Sequence, residues 1–154
     1  MLWLDSMNTL RVPCAVQLLS LGLWAGAPTN PSAIVGDWRT KGGESVVHIE
    51  RTGAEFHGRI LWLKEPLDKQ GKAKLDIHNP DPKLTTRPIL GRPLLHGFRF
   101  DGTDSWSDGR IYDPKHGKEY HCTMILDGTK LKVHGYVGIS LLGSTEVWER
   151  AESN

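Results

Sequence analysis

The chain is predicted to be all-β: a single antiparallel up-and-down β-barrel of about eight strands, with a long loop around residues 64–91 and an N-terminal signal segment. Three observations predict it. Gly36-Asp37-Trp38 near the start and Trp148-Glu149-Arg150 near the end bracket the rest of the chain. Between them lie short runs that alternate apolar and polar residues, the period of a strand with one face turned inward. Gly, Asp, Pro and Asn separate these runs, and Asp-Gly pairs tolerate the positive φ angles that tight hairpins need. A first strand with Gly-x-Trp and a last strand with Trp-x-Arg suit a sheet that closes on itself, which removes exposed edges. In that arrangement Trp38 plugs one end and Arg150 lies over its indole face. Gly36, Trp38, Trp148 and Arg150 are therefore assigned to barrel closure.

Period-two patterning places strands at about Ile34–Thr40, Ser45–Arg51, Ala54–Leu63, Arg92–Phe100, Ser105–Tyr112, Lys118–Leu126, Lys130–Val137 and Leu141–Arg150. Lys41-Gly42-Gly43, Thr52-Gly53, Asp101-Gly102, Asp113-Pro114-Lys115-His116-Gly117 and Asp127-Gly128 turn the chain between them. The exception is Lys64–Gly91, whose four prolines (66, 80, 82 and 88) forbid a central strand. An excursion of that length is usually either a functional lid or a partly ordered loop. Leu84, Ile89 and Leu90 give it apolar grip on the barrel, and a short helix is expected near Pro82–Thr86.

At 154 residues the chain is long enough for one domain with a real core, and its net charge of +1 lacks the excess of a dedicated nucleic-acid binder. Residues 1–27 are assigned to a signal peptide. Met7 to Arg11 form a short positive start, Val12 to Trp24 an apolar run, and Ala25-Gly26-Ala27 a small-residue cleavage site, with Met7 as the alternative initiator. Pro28 directly after Ala27 is a poor residue at a cleavage junction, so the cut can fall elsewhere before Ile34. No integral membrane span is expected after its removal, and the location implied is periplasmic or secreted. Cys14 would leave with the signal, so Cys122 is expected as a lone, buried thiol beside Met124 and Leu126.

Three blocks of residues then resemble a known family. The first is Asn79-Pro80-Asp81-Pro82 with Arg87-Pro88-Ile89-Leu90-Gly91 and Leu94-Leu95-x-Gly97. The second is Trp106-x-x-Gly109-x-Ile111-Tyr112-Asp113-Pro114 with Gly117-Lys118-x-Tyr120. The third joins Leu131-x-Val133-x-Gly135-Tyr136-Val137-Gly138 to Gly143-x-Thr145-x-x-Trp148-x-Arg150. Over about residues 34–150 the order and spacing resemble a bacterial exported family, domain of unknown function twenty-one forty-seven. The resemblance implies a lipocalin-like (calycin-like) barrel, export, and no family-wide reaction. Arginines often found in that family are replaced here by His134 and Ser144. If those arginines face an anionic group in relatives, this chain has weakened or redirected that preference.

Barrels of this size hold one small ligand. Trp62, Trp106, Tyr112, Tyr120 and Tyr136 are the candidate aromatic lining, with His134 as a polar, pH-sensitive contact. Arg99 and Arg110 are weaker candidates for an anionic head group. The seven histidines show no metal-ligand spacing, so no metal is expected. Ser140 lacks the Gly-x-Ser-x-Gly elbow, and Asp104, Asp108 and Asp113 suit turns. No glycine loop precedes a helix, and no cofactor is expected. The leading reading is a non-enzymatic barrel binding a small amphipathic or hydrophobic molecule. The alternatives are an envelope interaction module using its outer surface, and a hydrolase or isomerase built around His134 and Tyr136.

Overall fold

The computed structural model describes residues 30–152. The expected signal segment and Cys14 lie outside the described residues. Eight strands form a closed barrel in chain order: β1 (Gly36–Arg39), β2 (Ser45–Thr52), β3 (Glu55–Leu63), β4 (Pro93–Phe100), β5 (Ser105–Asp113), β6 (Lys118–Asp127), β7 (Lys130–Tyr136) and β8 (Gly143–Arg150). Every neighbouring pair is antiparallel, and β1 meets β8 through Trp38 opposite Arg150 and Arg39 opposite Glu149. Alternation sets the faces. On β7, Leu131 and Val133 are buried while Lys130 and Lys132 meet solvent, and β6 buries Cys122 and Met124 from the same side.

One end of the barrel is sealed. Ile34, expected at the start of β1, instead ends a 3-10 turn, Pro31–Ile34, in which the Ser32 backbone N–H donates to the Asn30 side chain. Three side chains pin this turn across the opening. Trp38 Nε1–H donates to Ile34 O at 2.7 Å, and Trp106 Nε1–H donates to Pro31 O at 3.1 Å. Arg150 donates to the carbonyls of Val35 and Ala33, and its guanidinium carbon lies 4.1 Å from the Trp38 ring centre. The glycine of the opening motif follows from this crowding. Gly36 has φ of 118°, and a Cβ there would press on Arg150 Nη1. Trp38, Phe56, Phe98, Trp106, Met124, Leu131 and Trp148 fill the barrel above the turn.

The opposite end carries the segments 40–44, 64–92, 114–117 and 137–142, and stays open. The long excursion holds itself with short bridges, Leu67 to Ala73 and Leu75 to Pro88, and a 3-10 turn at Pro82–Leu84. Ile89 packs on the core, whereas Leu90 is exposed.

Candidate functional site

The open end leads into two adjoining clefts of about 750 and 770 Å³, which share Glu44, Ser45, Leu94, Asp113, Pro114 and Lys115. That places them within the usual volume range of small-molecule sites. The outer cleft lies between the barrel mouth and the long loop, with Ile60, Leu63, Leu75, Ile77 and Ile89 on its walls. The inner one descends between β5, β6, β7 and β8, past Ile111, Tyr120, Val133, Gly135, Ser144 and Glu146 to Trp148.

One buried network positions the loop that forms the outer wall. Asp76 is fully buried. Its carboxylate accepts from Arg92 Nη2 at 2.6 Å, Asn79 Nδ2 at 2.7 Å and the Tyr112 hydroxyl at 2.7 Å. Burial by itself would raise the Asp76 pKa, but these three donors and the Arg92 charge outweigh it and hold the carboxyl below its ordinary value. The loop also touches the β5–β6 turn so closely that a side chain at Gly117, where φ is 63°, would collide with the His78 carbonyl. Sequence reasoning missed this network. Its one signal was the resemblance around Asn79-Pro80-Asp81-Pro82, just after the aspartate.

Tyr112 is the candidate most changed by this finding. It borders the inner cleft, yet its hydroxyl is committed to Asp76. Burial, then the hydrogen bond to Asp76 and its negative charge, push the phenol up to about 12. The folded value exceeds the unfolded one of about 10, so the hydroxyl's stabilisation is complete below about pH 10. It is lost as pH rises towards 12. Spectrophotometric titration should therefore find one of the three tyrosines ionising last, and Tyr112→Phe should remove that step. All three tyrosines titrating together in the wild-type protein would contradict the network.

The other candidates divide by position. Tyr120 faces inward opposite Ile111 and lines the inner cleft. Tyr136 borders the rim, but its ring stacks between His121 and His134, at 5.5 and 5.7 Å, on the outer side of the sheet. His134 does not line the clefts. Its Nε2–H donates to Ser140 O at 2.7 Å, and its Nδ1 lies 2.8 Å from the Thr145 hydroxyl, so it braces the 137–142 turn. Ser144, paired with Gly135, does line the inner cleft, so the two family positions that differ here face opposite sides of the sheet.

Besides His134, two expectations need correction. Trp106 packs at the sealed end against Phe56 and Phe100, because its indole N–H is needed by the N-terminal turn. Trp62 points outward and is 44% exposed. Val47 pairs with Ile60 but Val46 pairs with Trp62, so Leu61 is an extra residue that reverses the alternation. Leu63 thereby reaches the cleft in its place. Cys122 is buried and free, and burial pushes its thiol up to about 12. Among the described residues no His, Cys, Asp and Glu cluster suits a metal ion, and no helix is long and apolar enough to cross a membrane.

The model of the family described as "Uncharacterized protein conserved in bacteria (DUF2147)" matches residues 36–150. The chain belongs to this family. A structural neighbour of this DUF2147 protein is HP1028 from Helicobacter pylori, described as belonging to the lipocalin family. The two share 24% identity over 82% of this chain and 85% of the other, with a TM-score of 0.67, a likeness that shows the fold. No curated protein matches the sequence.

Proposed function

We propose that this DUF2147 protein is a non-catalytic carrier that takes a small amphipathic or hydrophobic molecule into its barrel, in the periplasm or outside the cell. The observation that carries this reading is the cavity. It opens at one end, is bordered by the anchored loop, and bottoms out on Trp148 above a sealed floor. Most of its wall surface is apolar, with charged side chains such as Glu44, Lys74 and Lys115 set around it to orient a guest. Export rests on the signal-like segment before the barrel and on the family resemblance. Native mass spectrometry and lipid extraction after mild purification are expected to reveal a small molecule released on unfolding. A protein that arrives empty and leaves a panel of hydrophobic probes unbound would defeat the reading.

The outer-surface reading draws on a different observation. Ile77, Val137, Ile139, Leu141 and Leu142 at the mouth are all at least 60% exposed. They also flank the cleft entrance, so the carrier reading absorbs them as its threshold. The hydrolase or isomerase reading loses its motive, since His134 and Tyr136 brace a turn on the outer face.

A further inference from the structure

Glu146 is the one charged side chain, among the described residues, that lines the cavity from a strand interior below the rim. Three observations fix its direction. It pairs with Val133, which is buried in the core. It shares a face with Trp148, whose Nε1–H donates to Glu146 Oε2 at 3.0 Å. It lines the inner cleft, and although it faces inward it is exposed, so the space in front of it is open. Asp113, the other cleft carboxylate on a strand, ends β5 at the rim and is occupied by the Lys115 backbone N–H and His116 Nδ1.

We propose that the cavity selects an amphipathic molecule with a compact cationic head, such as a primary amine, and takes it head-first. This rests on the carrier reading above and adds the charge and orientation of the guest. Glu146 lies three residues inside the mouth end of β8, roughly 10 Å down the strand. A carboxylate offers about four acceptor positions, and Trp148 fills one of them. A cationic head makes charge-assisted hydrogen bonds to the others, whereas a carboxylate head meets a like charge. Ser144 lies on the same inner face and gives the head a second polar neighbour. Above this level Ile60, Leu63, Ile89 and Leu94 receive the apolar tail.

Lys41 and Lys115 at the rim favour the opposite polarity, a carboxylate held head-up, so the test must separate the two. Decylamine, decanol and decanoate are titrated into the full barrel domain at neutral pH by calorimetry, with tryptophan fluorescence reporting on Trp148. Decylamine is expected to bind about tenfold more tightly than decanol, with decanoate weakest. Glu146→Gln keeps an acceptor for Trp148, so the fold should survive. It should shrink the amine preference to within about twofold and leave decanol unchanged. Decanoate binding as tightly as decylamine, or a preference that survives the substitution, would overturn the proposal while sparing the carrier reading. Failure of all three probes would overturn both. The wild-type ranking needs no variant, so a Glu146→Gln protein that misfolds still leaves the proposal open to refutation.

Discussion

Asp76→Ala is expected to release the 64–91 loop from the barrel and to lower stability by about 3 kcal/mol. The substitution strands the Arg92 guanidinium, which is only 12% exposed, beside a Tyr112 hydroxyl and an Asn79 amide that lose their common acceptor. Breaking a buried pair from one side is costly because the remaining charge has no compensation. The figure is at the low end because the Arg92 side chain keeps an edge to water. Urea unfolding should show a lower midpoint, and limited proteolysis should cut between residues 64 and 91. The pH dependence has a definite sign. Asp76 has a folded pKa below its unfolded value, so its contribution is complete above the ordinary carboxylate range. It disappears as pH falls through the depressed value. Wild-type loop docking should therefore persist in mild acid and fail in strong acid, while Asp76→Ala shows no such transition. Unchanged proteolysis and an unchanged midpoint would mean that the network is decorative.

The same loop marks the limit of what the sequence makes legible. Strands such as Lys130–Tyr136 announce themselves because a buried residue recurs at every second position, and that period is visible without a structure. Barrel closure was legible too, since Trp38 and Arg150 are an uncommon pair of types placed at opposite ends of a strand series. The lining was harder to read, for reasons of geometry. A single extra residue at Leu61 exchanges the roles of Trp62 and Leu63, and bulges leave no compositional mark. The irregularity between Trp106 and Gly109 works in the same way, placing both residues on the inner face although they are three apart. Asp76 was invisible because its partners are 3, 16 and 36 residues away, contacts that only the fold brings together. Glu146 resembles any solvent-facing strand glutamate until the register on Val133 turns it inward.

Trp38→Ala should be the most damaging single change in the barrel, with an expected loss of about 4 kcal/mol. The ring is fully buried, so removing it leaves a large void at the sealed end. Two further losses follow from the geometry. The Ile34 carbonyl gives up its donor, and the Arg150 guanidinium loses the indole face it covers at 4.1 Å. Domains of this size are typically stable by only about 5–15 kcal/mol, so a substantial unfolded fraction is expected in mild denaturant. Combining the change with Arg150→Ala should cost less than the two separate losses added together, by about 1 kcal/mol, because both remove the same stack. Trp62→Ala supplies the internal control. Its ring is 44% exposed, and its loss should cost no more than about 1 kcal/mol. Equal losses for Trp38 and Trp62 would show that the floor is not held by its indole. The Glu146 carboxylate and the mouth would then lack the rigid base on which a selective cavity depends.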